Sequence, residues 1–126
     1  MHGSIDATVL VVEDEAPLRL AVRKMLGNAG FAVLEAADGS EAIKLLHATT
    51  SRIDRLFLDM TIPGCSSHEV LREAVESWPQ VKIILTSAFS KEIANESLSG
   101  PQVCGFVRKP FQFGTLLSTL RIVLSS

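Results

Sequence analysis

Short apolar runs alternate along this chain with segments whose apolar residues recur every three or four positions. The runs are Val9-Leu-Val-Val12, Phe31-Ala-Val-Leu-Glu-Ala36, Ile53-Asp-Arg-Leu-Phe-Leu-Asp59, Val81-Lys-Ile-Ile-Leu85 and Val103-Cys-Gly-Phe-Val107. Their length and Val/Ile/Leu content read as strands covered on both faces. Between the first two, Leu18, Val22, Met25, Leu26 and Ala29 outline a helix, with Pro17 near its start and Gly30 as its stop. Asp38-Gly-Ser-Glu41 has capping-box spacing before Ala42, Ile43 and Leu46. Ser66-Ser-His-Glu69 repeats that spacing before Val70, Leu71, Ala74 and Val75, and Pro79 ends the segment. Leu116, Leu117, Leu120 and Leu124 mark a last helix. The weakest pattern is Lys91 to Leu98, where Ile93, Ala94 and Leu98 form the whole apolar face before Gly100-Pro101.

Five strands alternating with five helices predict an α/β fold, a doubly wound (βα)5 sandwich around a parallel sheet. The pattern fills the chain, so residues 1–126 are expected to form a single domain with a core from about residue 8 to 124.

The polar residues that close the strands then become informative. The first strand runs into Glu13-Asp14, the third closes in Asp59, the fourth in Thr86 and the fifth in Arg108-Lys109. Ligand chemistry in an open parallel sheet collects beyond the carboxyl ends of its strands. Acids, a hydroxyl and an amine are therefore expected at one edge.

Composition narrows the function. The chain is 47% hydrophobic and 21% charged, which excludes disorder. Twelve basic against fourteen acidic residues give a net charge of -2, so no direct nucleic-acid binding is expected. No apolar run reaches the roughly 18 residues of a membrane span, and no secretory signal is recognisable. Cys65 and Cys104 do not resemble a disulfide framework, which favours a reducing cytoplasm. Cys65 and His68 form a Cys-x-x-His pair, but two ligands do not close a zinc site.

Four motifs stand in order at strand ends: Val11-Val-Glu-Asp-Glu15, Leu58-Asp-Met-Thr-Ile-Pro63, Ile84-Leu-Thr-Ser-Ala88 and Phe106-Val-Arg-Lys-Pro-Phe111. Together they resemble the receiver domain of two-component response regulators, over roughly Thr8 to Leu124. The resemblance implies a flavodoxin-like strand order of 2-1-3-4-5. It implies that Asp59 accepts a phosphoryl group from a histidine kinase or histidine phosphotransfer protein. Mg²⁺ is the implied cofactor, bound by Asp14 and Asp59, with Glu13 acting mostly through water and the Thr61 backbone carbonyl completing the protein ligands. Lys109 is implied to pair with the phosphoryl oxygens across a cis Lys109-Pro110 bond. Thr86 and Phe106 are the implied switch residues, and Thr86 also donates to the phosphoryl group. Such a module catalyses only its own phosphorylation and dephosphorylation, is bacterial and cytoplasmic, and is a monomer or weak dimer. The Thr61-Ile-Pro-Gly64 loop and the Phe106 to Phe113 segment look similar to receivers of hybrid histidine kinases, whose parent protein would be a kinase.

Several positions depart from that pattern. Ser67 replaces a glycine eight residues beyond Asp59, with Cys65-Ser66 before it; this predicts an altered loop capped by Ser66. Ile62 replaces a methionine, and Gln102-Val103 replaces a small pair before the fifth strand. Phe106 lacks the hydroxyl of a tyrosine. Three other readings compete with this one. An aspartate-nucleophile phosphohydrolase needs an acid where Thr61 stands. An FMN binder needs a phosphate-cradling first loop, where Glu13-Asp14 would repel one. A degenerate receiver used as a docking scaffold stays open as the alternative, and the presence of all five expected site residues argues against it.

Overall fold

The computed structural model describes residues 7–48, 52–62, 66–87, 102–112 and 114–119. Strand β1 (Thr8–Val12) leads to helix α1 (Ala16–Asn28), β2 (Ala32–Ala36), α2 (Gly39–Ala48), β3 (Arg55–Asp59), α3 (Ser67–Ser77), β4 (Lys82–Ser87) and β5 (Val103–Arg108). Residues 114–119 are helical. All strands are parallel, in the order β2-β1-β3-β4-β5. The weak helix expected over Lys91 to Leu98 lies outside the described residues, as do Leu120 and Leu124.

Helix boundaries follow local chemistry. α1 starts with Pro17 in its first turn, after Glu15 as N-cap, where a missing N–H costs nothing. It stops at Gly30, whose φ of 101° is open to glycine. There the Gly30 N–H reaches the Gly27 carbonyl and the Phe31 N–H reaches the Leu26 carbonyl, a paired closure of the last turn. Before α2, Asp38 Oδ1 accepts from the Glu41 N–H at 2.8 Å, while Glu41 Oε1 reaches back to the Ala37 N–H at 2.7 Å. Ser66 caps α3, its hydroxyl accepting from the Glu69 N–H at 3.2 Å. Both N-caps expected at these spacings form.

Alternation along each strand divides the core into two layers. Leu10, Val12, Leu56, Leu58, Ile83 and Leu85 meet Ala42, Leu46, Val70 and Ala74 of α2 and α3. Val9, Val11, Phe57, Ile84 and Val107 meet Val22 and Leu26 of α1, and Leu116. The central strands are buried almost throughout, while the edge strands β2 and β5 are partly exposed. β3 starts two residues later than its apolar run. Asp54 there turns its carboxylate to the Thr8 N–H at 2.9 Å.

The approach to β5 is where the altered Gln102-Val103 pair stands. Ile83 pairs with Val103 and Ile84 with Gly105, so Cys104 is an extra residue in the ladder, with its side chain exposed. The strand ends at a cis Lys109–Pro110 peptide.

Candidate functional site

Register brings the polar strand ends together. Asp59 is aligned with Thr86, and the Met60 N–H donates to the Thr86 carbonyl at 2.9 Å. The next carbonyl on β4, that of Ser87, takes the Lys109 N–H at 2.8 Å. The end of β4 thus sets both the phosphoacceptor candidate and the lysine in place.

Glu13, Asp14 and Asp59 bring one carboxylate oxygen each within 4.8 Å of one another. Glu13 and Asp59 are fully buried, and Asp14 is exposed. Lys109 Nζ lies 2.8 Å from Asp59 Oδ2 and 2.8 Å from Glu13 Oε1, with Glu15 Oε1 at 3.7 Å. The contact to Glu13 is an ion pair. The other Asp59 oxygen, Oδ1, accepts from the Thr61 N–H at 2.9 Å and from the Thr61 hydroxyl at 3.0 Å. Glu13 Oε2 accepts from the Glu15 N–H at 3.0 Å.

Burial is the main force on the Glu13 carboxyl and pushes it up to about 7; the Lys109 contact and the Glu15 N–H oppose it, and the Asp59 charge adds a smaller rise. Repulsion from the Asp59 charge is therefore secondary to burial at this residue. Burial alone would discharge Lys109, but its contacts to Asp59 and Glu13 outweigh that effect and raise its pKa. The amine stays charged between two carboxylates.

Among the described residues Thr86 Oγ1 is buried without a hydrogen-bond partner. A buried hydroxyl of this kind calls for an explanation, and an anion arriving beside Asp59 would supply the acceptor. Phe106 is set apart from this group. It is aligned with Leu85, not Thr86, and packs half-buried against the α2–α3 side of the core.

Two contributors were not legible in the sequence. Ser67 Oγ donates to the Asp59 main-chain carbonyl at 3.0 Å. Arg19 Nη1 donates to the Glu13 carbonyl at 2.9 Å while its Nε reaches Glu35 at 3.3 Å. In the sequence Ser67 stands out only as a replaced glycine. Arg19 carried no signal at all.

Comparison with known proteins decides the family. The response regulator receiver domain pattern matches residues 9–121. The chain belongs to this family. As a receiver domain it is a component of two-component signalling, and receivers are phosphorylated by histidine kinases and bind Mg²⁺ at an acidic site. It is 31% identical over 118 residues to the sensor kinase CckA of Brucella abortus, covering 94% of this chain and 12% of that protein. It spans about half the length of several transcriptional regulators that it also matches. Among solved structures, a receiver protein from Sinorhizobium medicae superposes with a TM-score of 0.83 at 27% identity, covering 96% of each chain. The response regulator TrrA of Thermotoga maritima, solved in complex with Mg²⁺-BeF, gives 0.76 at 30% identity, covering 91% of this receiver and 96% of TrrA. No helix among the described residues is long and apolar enough to cross a membrane.

Proposed function

We propose that Asp59 of this receiver accepts a phosphoryl group from a phosphohistidine on a histidine kinase or phosphotransfer protein. The observation that carries the reading is Lys109 Nζ lying 2.8 Å from both Asp59 Oδ2 and Glu13 Oε1. A buried carboxylate thereby sits against a fixed cation, the countercharge that a nucleophile facing an anionic donor needs.

In the transfer, an Asp59 carboxylate oxygen forms a bond to phosphorus as the phosphorus–nitrogen bond breaks. The electron pair returns to the imidazole nitrogen, which takes up a proton. Lys109 balances charge as a point cation, and Thr86 Oγ1 donates to the incoming oxygens.

The all-oxygen donor set of Glu13, Asp14 and Asp59 fits Mg²⁺. Asp14 and Asp59 would hold the ion directly, Glu13 through water, and the Thr61 carbonyl would complete the set. When bound, Mg²⁺ offsets the charge that develops on the transferring group. Phosphorylation adds about -1.5 to -2 charges, and Thr86 and Phe106 are the residues proposed to relay it to a protein-binding surface.

A place in a hybrid histidine kinase is the finer reading, supported by the match to CckA. A regulator with its own effector domain is the rival, since transcriptional regulators match over as much of the chain.

The test is intact mass after incubation with acetyl phosphate, with and without Mg²⁺, beside Asp59→Asn. One phosphoryl adduct that needs Mg²⁺ and vanishes in the variant is expected. A folded protein that takes no adduct under any condition would instead be a docking scaffold.

A further inference from the structure

The peptide unit joining Asp59 to Met60 is held at both ends. Its carbonyl accepts from Ser67 Oγ at 3.0 Å, and its N–H donates to the Thr86 carbonyl at 2.9 Å. A peptide unit is planar and rigid, so two such bonds fix its rotation. That rotation sets where Asp59 leaves the strand and where the chain continues to Thr61. Thr61 in turn returns two donors to Asp59 Oδ1, its N–H and its hydroxyl.

The neighbouring serine makes this arrangement possible. Ser66 spends its hydroxyl on the first turn of α3, accepting from the Glu69 N–H. Ser67 is thereby spared from capping and turns inward, 5% exposed, to the phosphoacceptor strand. A glycine at this position, the residue of the receiver pattern, offers no donor. Alanine would leave the Asp59 carbonyl without this partner at a residue that is itself fully buried, and such groups need one.

Resting on the phosphoacceptor reading above, we propose that Ser67 is a positioning residue for the acidic site. Its hydroxyl, acting through the Asp59 main chain, orients the Asp59 carboxylate and the Thr61 backbone toward Mg²⁺. The glycine-to-serine change supplies a hydrogen bond from the start of α3 to the Asp59 carbonyl.

The test compares the wild-type receiver with Ser67→Ala, Ser67→Gly, Ser67→Thr and Asp59→Asn. Mg²⁺ affinity is measured by titration calorimetry on unphosphorylated protein. Phosphoryl uptake from acetyl phosphate is followed by intact mass across Mg²⁺ concentrations, and thermal midpoints are recorded alongside. Ser67→Ala and Ser67→Gly are expected to weaken Mg²⁺ binding roughly tenfold, the scale of lost outer contacts to metal ligands. The Mg²⁺ concentration for half-maximal uptake should rise by the same factor. Ser67→Thr, which keeps the hydroxyl, should recover most of the affinity.

Unchanged Mg²⁺ affinity in folded Ser67→Ala or Ser67→Gly, whatever the thermal midpoint, overturns the proposal and leaves Ser67 a structural contact. If the alanine variant does not fold, the glycine and threonine variants carry the comparison. A wild type that binds Mg²⁺ yet takes no phosphoryl group overturns the acceptor reading, while the Ser67 comparison still stands in the calorimetry. A wild type that binds no Mg²⁺ overturns both.

Discussion

Lys109 Nζ meets Asp59 Oδ2 at 2.8 Å across fifty residues of chain. The same amine lies 2.8 Å from Glu13 Oε1, so one partly shielded cation serves two buried carboxylates. Each carboxylate would be costly to bury alone.

Lys109→Met leaves Glu13 and Asp59 buried without that charge. Removing one member of a buried ionic group costs about 3 kcal/mol. Urea unfolding without Mg²⁺ should show a loss of that order, and saturating Mg²⁺ should recover part of it. A variant as stable as wild type without metal would show that the contact is not what compensates the acids.

Glu13 makes stability depend on pH in a particular direction. Its carboxyl is pushed from 4.5 to about 7, chiefly by burial. Between those values the folded protein holds a proton that the unfolded chain has released, so stability declines as pH rises through the window. The metal-free thermal midpoint should fall from about pH 5 to about pH 7.5 more steeply in wild type than in Glu13→Gln. Equal slopes in the two proteins would remove Glu13 as the source. Mg²⁺ binding should strengthen with pH over the same range, because the ion favours the deprotonated acid.

Thr86 separates stability from function. Its buried hydroxyl has no hydrogen-bond partner among the described residues, so Thr86→Val is expected to keep stability or raise it by up to about 1 kcal/mol. Phosphoryl uptake from acetyl phosphate should slow in the same variant. A substantial loss of stability in urea would mean that the hydroxyl already has a partner in the resting protein.

Gly30 is the backbone stop of α1. Its φ of 101° penalises any side chain, and Gly30→Ala should cost about 1 kcal/mol in urea unfolding. A neutral result would indicate that the chain turns differently after Asn28.

What the residues declared in advance was local. Gly30 as a stop, the N-caps at Asp38 and Ser66, and the strand ends at Glu13, Asp59 and Lys109 were all legible, because helix caps and strand periodicity act within a few residues. The four motifs then carried the family resemblance, and with it the strand order.

Tertiary structure decided where side chains were sent. Nothing in the spacing told Val9 and Val11 to face α1 while Leu10 and Val12 face α2 and α3. No local pattern sent Ser67 to the Asp59 carbonyl, Arg19 to the Glu13 carbonyl, or gave Glu13 the burial that raises its pKa. Those outcomes depend on the register of β3 and β4 and on where α1 and α3 dock. A hydrogen bond between segments exists only once packing has brought its two ends within about 3 Å.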